Sequence, residues 1–382
     1  MNPLESTFVQ VLGQRDVSRP VLRVAAGESG ESLGVDAPAE RRIAARVEWV
    51  FAELRSAGPA EGPWATATAA LLQLSRVQDP PPARLVLLGH AAGLERRVHC
   101  PEVEALAAAV QLCHVVAAAR EDITDAAVDA PRVPTPLHAL SERYPGLGFV
   151  SCKHMAMAVT DALHGMAMGL GCEASDRGMA VVEAAARRSS VAAVERIASA
   201  VVQAPASEDD DDREACRRHL LRSGGELRVL APVLAGLAMV EVEEGSRVED
   251  VRAWAEHVAV ATQGLAELER LRPAPGESRP DGLALLGAVP GSLLRSVLFE
   301  GLEPGRREEL RALLEARPPS LASRIQLLDA MEELRVVARA RAWVQQEFAL
   351  AERARGRLAC GAEVDAGLEA WIGPLWRVVE IK

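Results

Sequence analysis

Apolar residues recur at three- and four-residue steps along most of this chain, and the clearest run opens at Pro101. Val103, Leu106, Ala107, Val110, Cys113, His114 and Ala117 share one helical face with no Gly or Pro between them, which predicts a long buried helix. The same periodicity predicts a helix over Arg41–Arg55, where Ile43, Val47, Val50, Phe51 and Leu54 form a stripe, and others over Trp64–Val77 and Arg84–Leu94. Further helices are expected over Ser151–Gly169, Arg177–Val202, Arg252–Leu271, Leu293–Leu302, Arg306–Leu314 and Leu321–Leu350, with an apolar stretch carrying Trp371 and Trp376 over Val364–Val379. Pro80-Pro81-Pro82 and Pro304-Gly305 interrupt the pattern between elements. Residues 1–38 lack it. There Gly27, Gly30 and Gly34 stand among Ser and Glu, so the expectation is a flexible arm over 1–38 and one all-α domain over 39–382.

The central run ends in acid. Glu121, Asp122 and Asp125 close it as E-D-I-T-D, and the four-residue step puts Glu121 and Asp125 on one face, one turn apart, where both carboxylates can hold one cation. A solvated rim at a helix end reads the same way, so the surroundings must decide. Asp161 and His164, three residues apart, invite a catalytic reading, but a core histidine satisfied by its neighbours suits the Met- and Ala-rich run around them better. The acidic run Glu208–Asp212 lacks an apolar frame and reads as a solvated loop.

Composition narrows the function class. A net charge of -11 and a pI near 5.4 exclude an electropositive nucleic-acid surface. No uninterrupted apolar run reaches the length of a membrane span and no signal-peptide pattern is present, so a cytoplasmic chain without a transmembrane segment is expected. The six cysteines show no C-x-x-C spacing and read as small core residues. Lysine occurs only at Lys153 and Lys382, so nearly all the positive charge is arginine.

The order of residues around the acidic end carries a resemblance. Gln111-Leu112-Cys113-His114, then E-D-I-T-D, then Arg132, then Pro134-Thr135-Pro136-Leu137-His138 resembles the first aspartate-rich region of the trans-isoprenyl diphosphate synthases, the polyprenyl synthetase family. The resemblance is one of pattern and spacing from about residue 40 onward. It implies an all-α bundle of long helices around a deep central cavity. It also implies Mg²⁺ held by Glu121, Asp122 and Asp125 on one wall and by Glu267 on the other. An allylic isoprenoid diphosphate would be gripped by Arg84, Arg132 and Arg222, in a cavity lined by His114, Ala117 and Gln263. The assembly it implies is a homodimer, or a heterodimer with an active synthase.

The departures from the family pattern are as informative. Where the family carries G-G-K-R-x-R-P, this chain has R-V-Q-D-P-P-P-A-R, leaving Arg76 and Arg84. Arg222-Ser223 replaces the Lys-Thr pair. Counting from Gln263, the second aspartate-rich motif reads Ala266, Glu267, Leu268, Glu269, Arg270, so both outer aspartates are gone. Ionising an allylic diphosphate needs metals bridging its leaving group, and here at most half that cluster can assemble. The first reading is therefore a catalytically impaired relative that binds an isoprenoid diphosphate or serves as a partner subunit. The second is an active Mg²⁺-dependent synthase using Arg76, Arg84 and Arg222 in place of lysines, with small Val116 and Ala117 admitting a long product. The third, a class I terpene cyclase, fits a 3% aromatic content poorly because cyclases guide carbocations with aromatic faces.

Overall fold

The computed structural model describes residues 37–77, 82–94, 100–125, 135–202, 213–240, 246–269, 292–315, 321–358, 362 and 364–371. They form fourteen α-helices, and no strand occurs among them. The helices are α1 (Ala37–Ser56), α2 (Pro63–Val77), α3 (Pro82–Leu94), α4 (Pro101–Asp125), α5 (Pro136–Arg143), α6 (Phe149–Ala174) and α7 (Asp176–Val202). Then come α8 (Arg213–Leu220), a π-helical segment (Leu221–Leu230), α9 (Ala231–Ala238), α10 (Ser246–Glu269), α11 (Leu293–Phe299), α12 (Pro304–Glu315), α13 (Leu321–Glu333) and α14 (Val336–Arg357). The all-α class read from the sequence is the class of the fold.

Helix α4 is the spine of the first half. Its alanines let α1, α3 and α6 pack against it closely, and Leu106, Ala107, Ala108, Ala109, Leu112, Val115 and Ala119 are fully covered. A helix apolar on nearly every side belongs in a core. Over Pro101–Ile123 α4 is long and apolar enough to cross a membrane, yet most of that window is buried by the other helices. At its first turn the buried Glu104 receives the Arg42 guanidinium of α1, with Nη2 2.7 Å and Nε 2.9 Å from the carboxylate oxygens.

A second apolar cluster surrounds α10, which lies along α14, and includes the buried Trp254, Val344 and Phe348. Between α8, α10 and α14 sits a charged network. Arg217 reaches both Glu347 oxygens at 2.6 Å, and His257 Nδ1 lies 2.8 Å from one of them. The two clusters share α3 and the π–α9 segment. Val86, Leu227, Ala231 and Ala235 face the first, while Leu85, Leu88, Val229, Val233 and Leu237 face the second. The shared helices cross at glycines. A Cβ on Gly89 would overlap the carbonyl of Val233, and one on Gly236 the carbonyl of Val86, so only hydrogens fit at the crossing.

Several boundaries differ from the periodicity. The helix expected over Leu321–Leu350 is two, because Arg335 adopts a left-handed conformation (φ 50°, ψ 41°) between α13 and α14. The helix expected over Leu293–Leu302 ends at Phe299, where Glu300 is extended and Gly301 takes φ 75°. Helix α5 has no counterpart in the sequence reading. Thr135 caps its start by accepting the His138 N–H at 3.3 Å, with Pro136 at the first helical position. Residues 1–36, most of the expected arm, lie outside the described residues.

Candidate functional site

The last three turns of α4 carry three groups at helical spacing, His114, Ala117 and Glu121, each partly open to solvent. Facing them is the π segment. Arg228 projects from it and places Nη2 3.1 Å from Glu121 Oε2. Behind Arg228 the backbone turns at Gly224, whose φ of 154° and ψ of -25° break the helical path. A Cβ there would stand 3.0 Å from Gln263 Oε1 and 3.4 Å from Arg228 Nε. One on the next residue, Gly225, would press 2.7 Å from the Ala259 carbonyl. The Gly224-Gly225 pair thus brings the π segment onto α10 and sets Gln263 and Arg228 around one small space.

The electrostatics of this corner are set by burial. His114 Nδ1 is buried without a hydrogen-bond partner, and burial, reinforced by the Arg228 charge, pulls the imidazole down to a pKa of about 3. His114 is therefore neutral. Gln263 Oε1 is likewise buried with no partner. Arg120, one residue before Glu121, turns the other way to Asp161 on α6 at 2.8 Å and to His164 Nδ1 at 3.4 Å. Burial and then Arg120 lower the His164 pKa, so Asp161 and His164 belong to a cluster centred on the Arg120 cation.

The remaining predicted site residues disperse. Asp122 accepts a hydrogen bond from the Thr135 hydroxyl at 2.5 Å, which ties the end of α4 to the start of α5. Asp125 is the last residue of α4. Glu267 is buried, and its carboxylate accepts the Leu293 N–H at 2.8 Å, at the N-terminus of α11. Arg84 pairs with Glu40 of α1 at 2.6 Å, and Arg76 with Glu48 at 3.1 Å. Arg222 is exposed on the π segment, and Arg132 lies outside the described residues. The structure brings together Glu121, His114, Ala117 and Gln263. It adds Arg228 and Gly224, which sequence reasoning passed over. The available signal was the Gly-Gly pair followed by the second arginine in R-S-G-G-E-L-R.

A divalent cation fits the described donors poorly. Among the described residues no three His, Cys, Asp or Glu groups gather into a metal cluster. Glu121 already faces a guanidinium, Asp122 a hydroxyl and Glu267 a backbone N–H.

The architecture matches a large set of solved structures. Geranylgeranyl pyrophosphate synthase from Corynebacterium glutamicum, complexed with isoprenyl diphosphate and magnesium, superposes with a TM-score of 0.69 at 13% identity over 90% of this chain and 99% of that one. A decaprenyl diphosphate synthase from Rhodobacter capsulatus gives 0.68 at 16%, over 90% and 98%. Polyprenyl synthase from Caulobacter crescentus, complexed with calcium and isoprenyl diphosphate, gives 0.64 at 14%, over 88% and 95%. The chain has the trans-isoprenyl diphosphate synthase fold. No protein-family model and no curated protein matches the sequence. At such identities the prenyl synthase likeness is one of architecture, and the site residues are this chain's own.

Proposed function

We propose that this protein is a catalytically impaired relative of the prenyl synthases that binds an isoprenoid diphosphate and works in the cytoplasm as a homodimer or as the partner of an active synthase. The observation that carries the reading is the Arg228–Glu121 ion pair at 3.1 Å, which places a fixed cation on the acidic wall. Ala266 on the opposite wall removes a second ligand position. Metal-assisted ionisation of an allylic diphosphate depends on two walls of carboxylates, and the Glu121 carboxylate is already ion-paired. The alternative of an active synthase built on arginines loses support from Arg84 and Arg76, which pair with Glu40 and Glu48.

The cavity keeps what binding requires. Arg228 and the exposed Arg222 offer guanidinium forks for an oxyanion. Ala117, small and partly exposed one turn before Glu121, is the α4 position an apolar tail would meet. The test is turnover with Mg²⁺, isopentenyl diphosphate and each short allylic diphosphate, with products read by mass spectrometry. The expected result is no prenyl product, together with a rise in melting temperature when an allylic diphosphate is added. A product that disappears in Glu121→Ala overturns the reading.

A further inference from the structure

We propose that Arg228 is a tethered cation standing where a metal would stand on Glu121, so that this cavity grips a diphosphate group without any divalent ion. The inference rests on the isoprenoid-diphosphate reading above and goes further, to how the headgroup is held.

The charge logic of the corner supports it. A bare pair of carboxylates repels a diphosphate until cations bridge the two. Here the guanidinium neutralises Glu121 directly, and a second cation entering beside it meets like charge. Only one nitrogen of Arg228 is engaged, Nη2 with Glu121 Oε2, out of a fork with five N–H donors. The side chain remains 32% exposed, so part of the guanidinium side chain stays within reach of a ligand from solvent. A guanidinium anchored at one edge and open at the other is a fixed receptor for an oxyanion.

Two orphaned polar atoms point to the same place. Gln263 is 5% exposed and its Oε1 has no partner, although it lies 3.0 Å from the point where a side chain on Gly224 would begin. Arg228 Nε and Cζ come within 3.4 and 3.5 Å of that same point. A buried amide oxygen left without a donor is unfavourable, and the P–OH of a singly protonated phosphate, or a water bound with the diphosphate, satisfies it. On the α4 side His114 Nδ1 is the second orphan, neutral and close enough to Arg228 to feel its charge. The absent side chain at Gly224 lets Gln263 Oε1 and the Arg228 guanidinium come close to one another. No covalent step is involved: the ligand class is an organic diphosphate, recognised by one guanidinium, one amide oxygen and one imidazole.

The experiment is calorimetric titration of the full chain with farnesyl diphosphate, and separately with inorganic pyrophosphate, each in EDTA and in excess Mg²⁺. Retention of Mn²⁺ is followed by electron paramagnetic resonance. The expected result is farnesyl diphosphate binding whose Kd changes less than about twofold between EDTA and Mg²⁺, and no Mn²⁺ retained. Arg228→Gln should weaken binding in EDTA by about tenfold or more, the loss of one charge-assisted contact, and Arg228→Lys by less. Arg228→Gln should also gain Mn²⁺ binding that Arg228→Gln/Glu121→Gln loses. Pyrophosphate binding equal to that of farnesyl diphosphate supports the proposal with the free anion as ligand; weaker binding supports the lipid diphosphate. Farnesyl diphosphate binding that appears only with Mg²⁺, or Mn²⁺ held by the wild type and lost in Glu121→Gln, overturns the tethered-cation proposal and leaves the binding reading standing. Absence of any farnesyl diphosphate binding overturns both.

Discussion

The Arg228 guanidinium and the Glu121 carboxylate meet at 3.1 Å although 107 residues separate them in the chain. Neither is deeply buried, at 32% and 30% exposed, so solvent screens the pair and its contribution to folding is small. A double-mutant cycle with Glu121→Ala and Arg228→Ala, measured by urea denaturation, should return a coupling of about 0.5–1 kcal/mol. A coupling above about 2 kcal/mol would mean that the pair is desolvated and the cavity closed over it. The interaction matters for the charge it leaves in the cavity more than for stability.

Gly224 should be intolerant in a way that its neighbours in open loops are not. Its φ of 154° is one that residues with a Cβ rarely adopt, and the added carbon would stand 3.0 Å from Gln263 Oε1. Gly224→Ala should therefore destabilise by about 1–3 kcal/mol. It should also weaken farnesyl diphosphate binding by pushing Arg228 off Glu121. Gly146→Ala, where nothing lies within 4 Å, is the control and should be nearly neutral in the same denaturation assay.

How much of this was readable beforehand follows from which residues carry periodicity. The α4 run is legible because its apolar steps persist over six turns, with His114 and Ala117 on its face and Glu121 in the acidic run that closes it. The break at Arg335 was illegible. E-L-R-V-V-A contains no Gly or Pro, and tertiary packing alone imposes the left-handed residue there. Arg228 escaped because the reading took its cations from the family positions, one of which is Arg222. The Gly-Gly kink that aims the later arginine at α4 is a matter of backbone direction, which residue types do not state. Glu267 was assigned to a metal from its place in a motif. Its carboxylate instead meets the start of α11, 26 residues later, a contact no local pattern announces.

That contact makes a prediction of its own. Glu267→Ala removes the acceptor of the Leu293 N–H and leaves a buried donor unpaired, which should lower stability by about 1–3 kcal/mol. Glu267→Gln keeps an acceptor oxygen and should lose less. If Glu267 works as this cap, adding Mg²⁺ leaves the melting-temperature difference between wild type and Glu267→Ala unchanged. A difference that grows with Mg²⁺ would return the residue to a metal-binding role.

His114 predicts a pH dependence with a definite sign. Its imidazole titrates at 6.5 as a free group and at about 3 in the fold, so between these values the unfolded chain binds a proton that the folded chain refuses. Stability from this group is fully present above pH 6.5 and falls as pH drops toward 3, by up to about 1.4 kcal/mol per pH unit. His90 and His164, also lowered, act in the same direction. Denaturation of His114→Gln across the acidic range should show a slope smaller by close to one proton while the slope from the other two persists. An unchanged slope would mean that the His114 ring is hydrated in solution.

The outer face of α6 and α7 argues for the dimer in the proposed assembly. Phe149, Val150, Val191 and Val194 are 54%, 64%, 57% and 65% exposed, on consecutive helices joined at Ser175. Along α6 the same exposed face runs through His154, Ala158, Asp161, Gly165 and Gly169, with open space around both glycines. A second copy related by a two-fold axis would lay the same face against its own, so every buried side chain counts twice. Covering apolar surface contributes about 25 cal/mol per Å², and the open space at Gly165 and Gly169 permits close approach there. Light scattering after size exclusion should find a dimer for the wild type. Val194→Glu and Val150→Glu each place two charges in the interface and should shift it to monomer with the helical circular dichroism intact. A wild type that is monomeric at micromolar concentration would leave the face for a different chain, and a mixture with an active synthase would then be the species to weigh.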